Sequence, residues 1–290
     1  MLKRDGHTHT EFCPHGSGER AEAMVRRAID LGFTHYSFTE HAPAPKDFLT
    51  RVPESQKSII ETSHIPYEKT EAYLGEMLRL KKLYGKQIHI SVGFELDYLE
   101  GYENWTREFL NKYGQWTDDG ILSVHYLYLD GIYHPIDSDF NYTSNCLLPA
   151  LGGYDAFCSA YYRTVMSSVK ADLGPWGPKR IGHMSLCRKY RKKLELTRES
   201  GTDVTALINE CLKLIKTRSF ELDFNTAGLY KPLCDEFYPG DIIFNEAIKQ
   251  GVPFVFGSDA HSVEQVGRSY EVYAGKSHPE KHGLGQLPHG

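Results

Sequence analysis

No Cys-x-x-Cys pair occurs in this chain. Its six cysteines, Cys13, Cys146, Cys158, Cys187, Cys211 and Cys234, are dispersed, which excludes a zinc ribbon and a dithiol redox motif. No uninterrupted apolar run is long enough to span a bilayer, and no charged, hydrophobic, cleavable leader opens the chain, so a reduced, cytoplasmic setting and no membrane partner are expected. Basic residues are not in excess. With 33 Lys and Arg against 38 Asp and Glu the formal net charge is −5, and no nucleic-acid partner is expected, because backbone binding needs a basic face. The one basic run, residues 189–193, reads as a solvated face. No internal repeat or linker divides the sequence. Residues 1–275 are therefore expected to form one domain, with 276–290 as a flexible tail whose histidines, His278, His282 and His289, are solvated.

The rest is ordinary globular sequence, 40% hydrophobic and 24% charged over 290 residues, enough to bury a large core. Periodicity shows strands and helices in alternation. Ala21, Met24, Val25, Ala28 and Ile29 share one helical face, stopped by Gly32. Further helices are predicted from Pro66 to Gly85, over 155–170, along Val204 to Ile215 and over 241–249. Short strands are predicted at 2–5, 34–38, 87–92, 121–127, 180–184, 220–224 and 252–256. About seven strands interleaved with helices imply a parallel α/β architecture. The stretches 43–66 and 130–151 read as long loops, and long connections of this kind often cover or build sites.

Mapped onto that pattern, histidines and carboxylates gather at the C-terminal ends of the strands. His7 and His9 follow the first strand, Glu40 and His41 the second, and Glu95 the third. His125 and His183 end the fourth and fifth, and Asp259 and His261 follow the last. In α/β barrels this is the face that carries active sites. The i, i+2 spacing of His7 and His9 points both imidazoles to one side of an extended chain, and Asp259 and His261 repeat it. A carboxylate can bridge two cations, so Glu95 is the natural bridge. Several histidines with two carboxylates suit Zn, Mn or Fe rather than Ca or Mg. No thiolate stands near these positions in the pattern, which argues against a closed structural zinc site. His35, His64, His89 and His134 stand outside the pattern and are read as structural.

These segments resemble the polymerase and histidinol phosphatase (PHP) superfamily over most of the chain. The carriers are Asp5-Gly6-His7-Thr8-His9-Thr10, Thr39-Glu40-His41, Gly182-His183 and Gly257-Ser258-Asp259-Ala260-His261, with Glu95 and His125 between them. The resemblance implies a distorted (β/α)7, TIM-like barrel and three divalent transition-metal ions (Zn, Mn or Fe). One would be held by His7, His9, Glu95 and Asp259, a second by Glu95, His125 and His183, and a third by His15, His41 and His261. His15 enters by resemblance alone. Within the superfamily the chain is most similar to the histidinol-phosphate phosphatases of histidine biosynthesis, although Ala227 stands where that group is associated with Ser. The implied substrate is a small phosphomonoester, L-histidinol phosphate.

Such a centre is expected to generate hydroxide from a bridging water for in-line attack on phosphorus, with Asp259 handling the leaving-group proton and His261 or His183 as alternatives. Arg188 and then Arg268 are the expected phosphate forks. Asn225 is expected to touch substrate, and Glu40 either to orient a ligand or to meet the substrate amine. Two rivals are a PHP-type phosphoesterase of nucleotides or nucleic-acid ends, and a non-catalytic metal-binding module. A C–N hydrolase would need a bridging lysine that the sequence does not place.

Overall fold

The computed structural model describes residues 2–194 and 201–277. The seven predicted strands all form and line up in parallel as one curved sheet. In sheet order these are β1 (Arg4–Asp5), β2 (His35–His41), β3 (His89–Asp97), β4 (Asp119–Ser123), β7 (Arg180–Ile181), β8 (Glu221–Asn225) and β9 (Phe254–Gly257). The chain closes the ring just beyond the outer strands. Gly6 N–H donates to Phe256 O (2.8 Å), Asp259 N–H to His7 O (2.9 Å) and His9 N–H to Ala260 O (2.9 Å). The β4–β7 seam is thin, with Leu122 opposite Ile181 as its one pair. The result is the distorted, nearly closed seven-stranded barrel that the strand count and the family resemblance both imply.

Helices wrap the outside, each turning an apolar stripe inward. Helix Ala21–Asp30 buries Met24, Val25 and Ala28, and helix Thr70–Tyr84 buries Tyr73, Leu74, Met77 and Leu80. The Val, Leu and Met side chains among them are each worth about 1.5–3 kcal/mol when removed from water. Helices Tyr154–Lys170, Thr202–Thr217 and Asp241–Lys249 complete the ring near their predicted limits.

Five differences from the sequence reading stand out. β2 and β3 run on to His41 and Asp97, so Glu40, His41 and Glu95 sit within strands. The predicted strand 121–127 is broken at Val124–His125. Its second half becomes β5 (Tyr126–Leu129), which pairs antiparallel with β6 (Ile132–Pro135) as a hairpin outside the barrel. Helix Glu103–Tyr113 lies outside the predicted elements, although Trp105, Phe109, Leu110 and Tyr113 share one helical face. The last helix, Tyr270–Ser277, includes Lys276, so the tail does not begin there, and the rest of it, with His278, His282 and His289, lies outside the described residues. The segment 43–66 contains short helical turns and is anchored by a satellite core in which its Phe48, Val52 and Ile60 meet Tyr126 and Tyr133 of the hairpin. It is thereby held beside the barrel mouth.

Candidate metal centre

All nine expected ligands converge at the C-terminal mouth. Glu95, in the middle of the group, is fully buried. Its Oε2 lies 3.3 Å from His7 Nε2, 3.6 Å from His9 Nε2 and 3.1 Å from His41 Nδ1. Its Oε1 lies 3.0 Å from His183 Nε2 and 3.8 Å from His125 Nε2. Asp259 Oδ1 is 3.1 Å from His9 Nε2 and 3.6 Å from His7 Nε2. Asp259 has φ +53°, a left-handed backbone unusual for a side-chain-bearing residue and one that tends to persist at functional sites. The exposed His15 does turn inward: its Nε2 lies 3.1 Å from His261 Nε2, and Thr62 O holds its Nδ1 at 2.9 Å.

The arrangement fits cations better than it fits protons. His7 Nε2 is buried without a hydrogen-bond partner although two carboxylates face it. Two pairs of imidazole nitrogens, His125 with His183 and His15 with His261, point at each other across 3.1 Å. Three sets could each bring ligand atoms to one ion: His7, His9 and Glu95; Glu95, His125 and His183; and His9, Cys13, His41 and His261. Burial opposes ionisation of Glu95, yet His7 and His41 hold its carboxyl well below the usual range. His7, His9 and His261 do the same for Asp259 against its own burial. Burial and the His9 charge push His261 down to about 3, whereas Asp259 and Glu40 overcome burial to lift His9 to about 9. The cluster thus divides its imidazoles into charged and neutral ones, and metal ions would take the place of those protons.

Behind the ligands stands a layer that the sequence reading missed. Asp223 Oδ2 lies 2.7 Å from His7 Nδ1, Asp97 Oδ1 2.5 Å from His125 Nδ1, and Ser123 Oγ donates to Glu95 (2.6 Å). Carboxylates behind ligating histidines fix their tautomer and orientation. A signal was available: Asp97 is two residues beyond Glu95, and Asp223 two before Asn225, so each shares a strand face with a residue already singled out. Gly257 makes room for this layer, since a Cβ there would stand 2.3 Å from Asp223 Oδ1 and 2.7 Å from His7 Cβ. His64, read as structural, supports the layer from behind with Nε2 2.6 Å from Asp97 Oδ2. His35 and His89 pack together at the opposite end of the barrel, and His134 bonds Tyr142.

The expected substrate contacts fare differently. Arg188 turns away from the mouth: Glu236 Oε1 holds its Nε at 3.0 Å, and it lines an outer cavity between helices. Arg268 donates to the carbonyls of Ser258 and Asp259 (3.0 and 3.3 Å) and so braces the Asp259 loop instead. Glu40 is fully buried, accepting from Thr10 N–H and Oγ and from His41 N–H, with His9 Nδ1 at 3.2 Å. It braces His9 and is sealed off from any substrate amine. Asn225 donates to Asp223 (3.0 Å) and Asp259 (3.3 Å) while accepting from Ala227 N–H, which also makes it an orienting group. The cations that do line the metal cavity are Lys189 and Lys231. The expected absence of a thiol near the site is corrected as well: the buried Cys13 approaches the His9, His41 and His261 nitrogens, and burial pushes its thiol pKa up.

Residues 5–227 match the model of the PHP domain, and residues 245–281 match that of the PHP-associated region. The chain belongs to the PHP family. Among curated PHP relatives, the histidinol-phosphatase of Bacillus subtilis is 40% identical over 273 residues, 94% of this chain and 98% of that protein. A probable histidinol-phosphatase of Deinococcus radiodurans is 29% identical, covering 91% of this chain and 88% of its own. The crystal structure of a candidate histidinol phosphatase from Listeria monocytogenes superposes with a TM-score of 0.88 at 42% identity, covering 93% of this chain and all of that one. At 18% identity, the histidinol phosphate phosphatase of Lactococcus lactis, crystallised with zinc, L-histidinol and phosphate, shares the PHP fold with a TM-score of 0.68 over 99% of this chain and 95% of its own.

Proposed function

We propose that this chain is a metal-dependent phosphomonoesterase that hydrolyses L-histidinol phosphate to L-histidinol and phosphate, in the cytoplasm and as a step of histidine biosynthesis. The observation that carries the reading is the Glu95-centred cluster, built from every expected ligand, in a chain that matches a histidinol-phosphatase along nearly its whole length. The zinc, histidinol and phosphate bound to the Lactococcus lactis relative support it, as do six unpaired cysteines, which suit a reducing compartment. The catalytic domain is read as one unit that extends through the last helix to Ser277.

His7, His9, Glu95 and Asp259 would hold one ion, Glu95, His125 and His183 a second, and His15, His41 and His261 a third. Such ions, Zn, Mn or Fe, supply Lewis acidity that neutralises phosphoryl oxygens and acidifies water. The chain's own residues then divide the remaining work. Asp259 is 19% exposed at the cavity wall, and Asn225 and His9 fix its two oxygens, so its ionised carboxylate is placed to take up the proton released by the attacking water and pass it to the leaving alkoxide. His261, 22% exposed beside it, is better placed as a substitute than the buried His183. Lys189 and Lys231 offer positive charge to the phosphate from the rim. No serine or cysteine paired with a base is required, so no phosphoenzyme should accumulate.

The test is phosphate release by the purified protein from L-histidinol phosphate, a panel of other phosphomonoesters and a nucleotide diester. Preference for histidinol phosphate, lost with chelator and restored by Mn or Zn, is expected. Equal weak activity on all esters, or activity on the diester alone, would overturn the substrate.

A further inference from the structure

Two cavities meet at the barrel mouth. One, of about 210 Å³, is walled by the metal cluster. The other, of about 290 Å³, opens beside it between the 59–63 segment and the β5–β6 hairpin, with Ile59, Ile60, Tyr126 and Pro135 as its apolar walls. Asp137 and Lys189 belong to both. They form an ion pair at the junction, Lys189 Nζ lying 2.9 Å from Asp137 Oδ2, with the two side chains 20% and 26% exposed. Lys189 Nζ also donates to Asp137 O (2.6 Å), as does Tyr190 Oη (2.8 Å), which fixes the Asp137 backbone in place.

Only two carboxylates border the side chamber among the described residues, Asp97 and Asp137. Asp97 has both oxygens engaged, by His125 and by His64, and is committed to the ligand layer. The Asp137 carboxylate is held by Lys189 alone among the described residues. A phosphomonoester of an amino alcohol carries the complementary pair of charges, a phosphoryl dianion bound for the metal cavity and an ammonium a few bonds behind it. Glu40, the acid that the sequence suggested for that amine, is sealed away.

We propose that Asp137 is the specificity residue for the leaving group. Its carboxylate receives the substrate ammonium at the junction, the imidazole occupies the side chamber, and Lys189 turns from Asp137 to the phosphoryl oxygens. The inference rests on histidinol phosphate being the substrate, and it explains how one small barrel tells that ester from others: an amine without its carboxylate, or the reverse, leaves a charge unpaired.

The test uses the metal-loaded full chain and three esters: L-histidinol phosphate, its analogue lacking the amine, and p-nitrophenyl phosphate. The wild type should favour histidinol phosphate over the amine-free analogue about 10- to 100-fold in kcat/KM, the range of a charged hydrogen bond. In Asp137→Asn that preference should shrink about 10-fold or more, mainly through KM, with metal content and melting temperature retained. Equal losses on all three esters would make Asp137 a structural residue and overturn the proposal. So would a wild type that handles the first two alike, a result that needs no variant to fold. A wild type that hydrolyses p-nitrophenyl phosphate but not histidinol phosphate would overturn the substrate reading, and this inference with it.

Discussion

At the N-terminal end of the barrel, Arg180 is 2% exposed, donating to Gly6 O (2.7 Å) and to Asp119 Oδ1 (3.0 Å), while Arg4 donates to Asp119 Oδ2 (2.5 Å). At the C-terminal end, Glu95, Asp259, Asp223 and Asp97 face a ring of imidazoles, and His7 Nε2 is left without a partner. Both ends bury charge. The lower end balances it with the chain's own cations, and the upper end relies on protons that metal ions can replace. The same fold thus carries one buried cluster whose carboxylate is paired with the chain's own guanidiniums, although Arg180 Nε and Nη1 find no hydrogen-bond partner there, and one whose carboxylates face only imidazoles. Buried charges are tolerable only when paired, and a cation from outside the chain fits the second cluster, which holds no permanent cation of its own.

Substitutions at the two ends should therefore fail in different ways. Asp259→Asn, at the upper end, is expected to lower kcat about 10³-fold, within the usual range for lost proton transfer, with a melting temperature close to wild type. Near wild-type turnover would remove Asp259 from that role. Arg180→Ala, at the lower end, should cost about 3–5 kcal/mol of stability, because one partner of a buried pair is removed. Urea titration measures this, and the remaining folded protein should keep its metal content. Loss of metal in parallel would mean that the two ends are not independent.

Asp223→Asn tests the layer between them. It removes the carboxylate behind His7 and should weaken zinc binding about 10- to 100-fold, the usual effect of such outer partners, in a chelator competition assay. Unchanged affinity would assign Asp223 to packing. The smallest effect is expected from a surface pair that serves neither end. The Glu22 pKa is lowered from 4.5 to about 2, chiefly by Arg26, with Tyr84 and Arg79 assisting. A depressed carboxyl stabilises the fold above its unfolded pKa and loses that contribution as pH falls through the folded one. The gap in urea midpoint between wild type and Glu22→Gln should be small, because the group lies half-buried at the surface where solvent screens it, and should narrow as pH drops from 4.5 toward 2. A gap that widens on acidification would contradict this assignment.

Much of the upper end was legible because strand periodicity and short i, i+2 motifs are local. His7, His9, Glu95 and Asp259 could be placed on one face without knowing the fold. Asp97 and Asp223 obey the same spacing rule, but their role behind His125 and His7 rests on contacts made across the barrel between distant segments. Arg188 and Lys189 were not separable: they follow Ser185, whose φ of +147° begins a turn without a repeating side-chain direction. Only that turn decides which of two adjacent cations faces the mouth. Cys13 is a similar case, brought to His261 by a loop bonded across the chain, Ser17 N–H to His261 O.

By itself, then, the amino-acid sequence determined the strand and helix order, the barrel class and the gathering of histidines and carboxylates at the strand ends, because each of these depends on spacing along a few residues. The tertiary structure alone decided that Asp119 neutralises Arg180, that Glu236 captures Arg188, and that Asp137 and Lys189 meet where two cavities join. Those pairings link segments tens of residues apart in the chain, and charge pairing in a low-dielectric interior depends on distance in space.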